Sequence, residues 1–280
     1  MCHSAAVIGG VIFMFGTIVG SFLNVCILRI PAGQSVVHPL SRCPKCDKPI
    51  AGYDNIPVLS WLLLGGKCRG CKTPISPLYP AVELLTGGLF LTSYLAFGPT
   101  LAAAKWSAFC ALLVVLTITD LRERLLPDKV NFTGALIGLA FAVVVPVGDG
   151  TAFLLASRWF AFPPPAAALS IADALFGAAA GYGFLWIVSE GYFRLRGREG
   201  MGLGDVKMMG MVGTFAGLKA TLLTILAGAL LGSLIGTTFM LLRRKGSDYE
   251  LPFGTFLGAA ALLVVFFGKP VLGWYFAGLQ

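Results

Sequence analysis

The chain has 280 residues, of which 57% are hydrophobic and only 12% charged, and its mean hydropathy is +0.84. A soluble globular domain carries about 25% charged residues, so an ordinary soluble enzyme is excluded and the bilayer is the expected solvent. The formal net charge of +8 does not indicate a nucleic-acid binder, because the cations fall in particular loops and follow a membrane pattern instead.

Apolar runs of about 17–25 residues cross the hydrocarbon core as helices, the only open-chain form that satisfies its own backbone there. Eight candidates occur in chain order, at 7–28, 81–97, 101–119, 130–147, 169–192, 206–217, 219–242 and 254–278. The expectation is an all-α polytopic membrane protein with about eight transmembrane helices. The first run lacks a basic flank before it and a small-residue cleavage site after it, and is too long for a signal core. It is read as a spanning helix. The sixth run is short. The stretch 148–168, with "FPPP" at its centre, is expected to be an outer loop that proline keeps from being helical. The expected organisation is a first helix (1–28), a cytoplasmic insertion (29–80) and a helical bundle (81–280).

The insertion carries "CPKC" at 43–46 and "CRGC" at 68–71. Two such knuckles supply four thiolates to a tetrahedral zinc ion, so Cys43, Cys46, Cys68 and Cys71 are the candidate ligands. Disulfides are disfavoured in a reducing cytoplasm, and a redox pair or incidental thiols are the remaining alternatives. Four cysteines would close the coordination sphere, which points to a structural ion. An insertion of this size has little core of its own, so metal binding would supply much of its folding free energy. His38 is a possible substitute ligand but reads as a loop histidine.

Orientation follows from the cations. Seventeen of the 21 Lys and Arg residues fall in 29–80, 120–129, 194–207 and 243–253, leaving only Lys105, Arg158, Lys219 and Lys269 in the alternate connections. The first set is therefore placed in the cytoplasm and both termini outside. Arg243, Arg244 and Lys245 keep this pattern only if the short run 206–217 crosses.

Acids near the ends of apolar runs are Glu83, Asp120, Asp173, Glu190 and Asp205. Asp120 closes the third run and Asp205 sits in "GLGD", so both are expected at the cytoplasmic face, where they can meet. Two carboxylates sharing a proton can activate water and polarise a carbonyl, which is aspartyl-protease chemistry. Neither of the two histidines lies beside a plausible nucleophile, so other hydrolase designs have little support. Capping of the following helix by Asp205 stands beside the dyad as an alternative. Asp128 is read as such a cap. Glu123 is read as a solvated charge, and Glu83 and Glu190 as partners of loop cations. Gly202 and Gly204 are expected to permit unusual backbone angles and close approach.

The chain resembles the type IV prepilin peptidases, bifunctional prepilin leader peptidase/N-methyltransferases. The resemblance rests on "GSFLNVCILRIP" (20–31), the cysteine array, "NIPVLSWLLLGGKC" (55–68), "ISPLYPAVELLTG" (75–87), "DLRERLLPD" (120–128), "GMGLGDVKMMG" (200–210) and "LPFGTFLGAA" (251–260). It implies a GxGD-type membrane aspartyl protease of the bacterial inner membrane, with Asp120 and Asp205 as the catalytic pair facing the cytoplasm and both termini periplasmic. The implied partners are prepilin or type II secretion pseudopilin substrates and the lipid bilayer, without nucleic acid. It also implies N-methylation of the new N-terminus with S-adenosyl-L-methionine. No glycine-rich nucleotide fingerprint supports that cofactor, and Asn24, Arg29 and Glu83 are the candidates for contacting it or the substrate. Two departures from the family pattern stand out: Arg122 replaces a frequent second acid, and Thr255 replaces a frequent proline. Neither is expected to touch the dyad. A membrane transporter with interfacial acidic sites and a thiol redox membrane protein are the competing readings.

Overall fold

The computed structural model describes residues 2–159, 162, 164–198, 200–243 and 252–277. Its elements are helices α1 (Cys2–Arg29), α2 (Leu59–Leu63), α3 (Leu78–Phe97), α4 (Leu101–Glu123), α5 (Asp128–Val144), α6 (Thr151–Trp159), α7 (Ala166–Arg196), α8 (Leu203–Arg243) and α9 (Phe253–Ala277). A single 3-10 turn (Gly52–Asn55) precedes α2. The chain is an all-α, multi-pass membrane protein.

Each of the eight apolar runs falls largely on a helix, although the run at 130–147 extends three residues past α5 and residue 278 lies outside the described residues. Among the described residues, α1, α3, α4, α7 and α8 are long and apolar enough to cross a membrane, while α9 contributes a shorter apolar stretch, Phe253–Gly268. Helix α5, with 17 residues, is shorter than those five. The sixth and seventh runs both fall in α8, which is two helical segments meeting at a kink at Gly217 (φ 78°, ψ −177°). A break of this kind orphans the amides that follow it, and Asp149 Oδ1 accepts one of them, from Lys219, at 3.1 Å. The Lys219 ammonium in turn donates to the Asp149 carbonyl at 2.7 Å. Arg244, Lys245 and Leu251, used in the orientation count and the last motif, lie outside the described residues.

The stretch 148–168 departs from expectation, since α6 occupies Thr151–Trp159. The prolines follow it and Pro165 caps α7, so they bound the helix without preventing it. Asp173 explains why α6 forms there: its two carboxylate oxygens accept the amides of Gly150 (3.1 Å) and Ala152 (2.7 Å), donors at the start of a helix that otherwise have no partner.

The helices divide into two compact units, residues 1–115 and 116–280. In the first, α1 and α3 meet through small residues. A Cβ on Gly16 would fall 2.8 Å from the Gly87 Cα, and one on Gly20 would fall 2.8 Å from the Glu83 Cα. In the second, Gly177 and Gly181 of α7 admit the backbone of α8 at Gly213 and Met209. Apolar area offers little association energy within lipid, so close backbone packing at small residues carries that role.

Candidate active site

In the first unit, each cysteine pair sits in a tight turn closed by backbone pairing. Cys43 N donates to Lys48 O at 3.0 Å and Cys68 N to Thr73 O at 2.8 Å, flanked by the bridges Arg42–Pro49 and Lys67–Pro74. The residue after each second cysteine, Asp47 or Lys72, takes a positive φ (53° and 58°), which turns the chain back so that both thiols of a pair face inward. The four Sγ atoms of Cys43, Cys46, Cys68 and Cys71 lie within 4.8 Å of one another, and Cys43 Sγ is 3.7 Å from Cys71 Sγ. Tetrahedral thiolates at the zinc–sulfur distance would stand about 3.8 Å apart, so the donor set fits a metal ion of that kind. The Thr73 hydroxyl and amide bring the Cys71 thiol down to about 6, favouring the thiolate a metal needs. His38 is not part of this group.

The rest of the insertion is held by few side chains. Arg69 makes a bidentate pair with Asp54 (2.6 and 2.8 Å), and Trp61 Nε1 donates to Ile75 O at 3.1 Å. With so small a core, a bound ion would add much of the folding energy.

The three candidate cofactor contacts all have partners within the chain. Asn24 Nδ2 donates to Tyr79 O at 3.1 Å. Arg29 donates to Ser35 O at 3.1 Å and lines a cavity of about 520 Å³ together with Ser21, Phe22, Ser41 and Asn55. Glu83 Oε2 accepts the amide of Val58 at 2.7 Å, where a β-branched residue holds a φ of 61° that is sterically unfavourable for it. Glu83 thus stabilises a loop amide and pairs with no cation among the described residues. Nothing in these contacts fits a nucleoside or sulfonium in particular.

In the second unit, Asp120 is three residues from the end of α4 and Asp205 is in the first turn of α8. Both are nearly buried, at 5% and 7% exposure. The N-terminus of α9 brings them together. A Cβ placed on Gly254 would lie 2.8 Å from Asp205 Oδ1 and 3.1 Å from Asp120 Oδ2, so these two oxygens flank the same point of backbone. Asp120 Oδ2 accepts the amide of Thr255 at 2.6 Å and its hydroxyl at 2.8 Å, so a carboxylate from α4 satisfies the first turn of α9. Asp205 Oδ1 is buried and makes no hydrogen bond among the described residues. Buried carboxylate oxygens are rarely left so, and this one is available to a water or a substrate group.

Several expectations need correction here. Thr255 does touch the proposed dyad, through two hydrogen bonds to Asp120. The apolar run 254–278 conceals this, because the contact is made by its first-turn backbone. Asp128 does not cap α5: Pro127 takes the N-cap position, and both Asp128 oxygens bind Lys207 Nζ at 2.8 Å, tying the start of α5 to the start of α8. Glu190 does pair with a cation of the 194–207 stretch, as expected: Arg194, one helical turn along, at 2.7 Å. Glu123 is exposed, as expected.

Neither glycine of "GLGD" has a positive φ, and only Gly204 is closely approached. A Cβ on Gly204 would fall 2.8 Å from Leu126 Cβ, whereas one on Gly202 would be in ordinary contact with Asp205 Oδ2 at 3.8 Å and Gly204 N at 3.9 Å. Leu126 is buried against Gly204 and Gly254 alike and forms the apolar wall of the site. Sequence reasoning did not single out Leu126 or Gly254, and it set Thr255 apart from the dyad. Thr117 Oγ1 and the Asn131 amide are further buried polar atoms with no hydrogen-bond partner among the described residues.

Known proteins carry the same arrangement of sequence. Residues 14–97 match the family described as the bacterial peptidase A24 N-terminal domain, and residues 107–237 match the type IV leader peptidase family. A prepilin leader peptidase/N-methyltransferase of Aeromonas hydrophila is 33% identical over 94% of this chain and 92% of its own. Proteins of the same name are 33% identical in Pseudomonas aeruginosa, over 95% of this chain and 93% of that one, and 38% identical in Myxococcus xanthus, over 82% and 62%. No solved structure matches the chain. With matches spanning nearly all of its length, the chain belongs to the type IV prepilin peptidase family.

Proposed function

We propose that the protein cleaves the basic leader from type IV prepilins or type II secretion pseudopilins, with Asp120 and Asp205 as a catalytic pair. The observation that carries this reading is the convergence of Asp120 Oδ2 and Asp205 Oδ1 on the Gly254 backbone. One carboxylate takes a proton from water as its oxygen adds to the scissile carbonyl, and the other donates a proton to the carbonyl oxygen. Collapse of the adduct releases the leader and returns a proton to the departing amine. Leu126 and the glycine-lined entry of α8 limit access of bulk water. Asp120 is oriented by Thr255, and Asp205 Oδ1 is available to the reacting groups.

With the cation-rich loops in the cytoplasm, this pair would lie at the cytoplasmic face of the membrane, which the family resemblance makes the bacterial inner membrane, with eight crossings and both termini periplasmic. A prepilin diffusing in the bilayer, its leader in the cytoplasm and its apolar helix in the membrane, would present the junction at that depth. Residues 29–80 form an insertion that Cys43, Cys46, Cys68 and Cys71 would close around a structural zinc ion, and residues 81–280 form the proteolytic bundle.

The relatives' shared name also implies N-methylation of the new N-terminus. S-adenosyl-L-methionine would supply the methyl group. Asn24, Arg29 and Glu83 are engaged within the chain, and no transfer step is assigned to them. The test is incubation of the purified protein with a prepilin, with and without that donor. Loss of the leader mass and gain of a methyl mass are the expected results, and Asp120→Asn or Asp205→Asn should abolish the first while the protein stays inserted and folded. Acid-dependent solute uptake by reconstituted vesicles, without cleavage, would favour a transporter instead.

A further inference from the structure

We infer that Thr255 is a positioning residue for cleavage, holding the Asp120 carboxylate in its working orientation with two donors at the N-terminus of α9. The inference rests on the dyad reading above. Thr255 is the third residue of α9, where a backbone amide has no partner inside its own helix. That amide and the side-chain hydroxyl of the same residue reach one oxygen, Asp120 Oδ2, at 2.6 and 2.8 Å. The hydroxyl's other neighbour, the Thr117 carbonyl, is farther away at 3.4 Å. Two donors from a single residue hold in place the same oxygen that flanks Gly254 together with Asp205 Oδ1.

The geometry around Thr255 leaves no slack. Gly254 has no room for a side chain between the two carboxylates and Leu126, and Gly258, one turn along α9, has none beside the Thr117 hydroxyl. Helix α9 is therefore seated close against the end of α4, and the Thr255 donors cannot be replaced by a neighbouring residue. The chain uses a threonine where a proline would supply neither donor. Positioning at this level acts on the reacting geometry rather than on substrate affinity, so its loss should appear in kcat with KM unchanged.

The experiment compares Thr255→Ser and Thr255→Val in cleavage of a prepilin by the full-length protein in detergent, with Asp120→Asn as a control. Serine keeps both donors and loses the methyl, and valine keeps the shape and the amide but loses the hydroxyl. Thr255→Ser is expected to cleave like the parent. Thr255→Val should lose roughly 10-fold to 100-fold in kcat, the scale of a hydrogen bond to a charged group, with KM preserved. Parental kcat in Thr255→Val, or impairment of Thr255→Ser alone, overturns the inference, the latter because it would show methyl packing. Cleavage by Asp120→Asn would instead defeat the dyad reading itself.

Discussion

The cysteine cluster and the carboxylate pair are built in opposite ways. The cluster draws its four sulfurs from residues 43–71, with two tight turns doing the gathering. The carboxylate pair draws on the end of α4, the start of α8 and the start of α9, joining Asp120 to a residue 135 positions away. A local site depends on turn geometry and a bound ion, whereas a dispersed one depends on the close packing of helix ends. Substitutions should therefore affect the two regions differently.

The largest effect of packing is expected at Gly254. Its side-chain position is already occupied by Asp205 Oδ1, Leu126 Cδ1 and Asp120 Oδ2, so Gly254→Ala must displace one carboxylate. A shift of about 1 Å at reacting groups costs roughly 100-fold in rate, which a cleavage time course would read directly. Next is Gly204→Val, which drives Leu126 from its seat. About 1–3 kcal/mol of overpacking should lower the melting temperature in detergent together with activity, and full activity would return Asp205 to a lesser role.

Cys43→Ser should leave both carboxylates in place but remove the bound ion, taking zinc by elemental analysis from about one equivalent to near none. Limited proteolysis should then cut within 29–80. Retention of the metal would show that three thiolates suffice. Asp128→Asn should retain most cleavage, because its pairing with Lys207 is half exposed and such pairs contribute about 0–1 kcal/mol. A loss as severe as that of an Asp120 variant would mean that the second acid of "DLRERLLPD" is the catalytic one.

The smallest effect is expected for Arg69→Ala. The Arg69 hydrogen bonds hold the Asp54 carboxyl below its usual range. The pair's contribution is full above the ordinary carboxylate value and is lost as pH falls through the lowered one. Parent and variant should differ slightly in resistance to chelator at neutral pH and converge in acid.

These contrasts also explain what could be read from the sequence. The helices were legible because bilayer thickness imposes a minimum apolar length, and the cysteines because ligand spacing is local. Asp120 and Asp205 were legible as isolated acids in apolar surroundings. Their shared contact with α9 was not, since Gly254 and Thr255 act through backbone position at the start of an apolar run. Helix α6 was also hidden, because its N-terminal amides are satisfied by Asp173, about twenty residues away in sequence. The role of Asp128 depended on Lys207, 79 residues distant, which no local capping pattern reveals.

The central claim is that Asp120 and Asp205 act as one unit, and the direct measurement is kcat for prepilin cleavage by Asp120→Asn, Asp205→Asn and the double variant. Groups acting together are strongly non-additive, so each single variant should fall to the background rate and the double variant should fall no further. Substantial cleavage by either single variant, or losses that multiply in the double variant, would contradict the account.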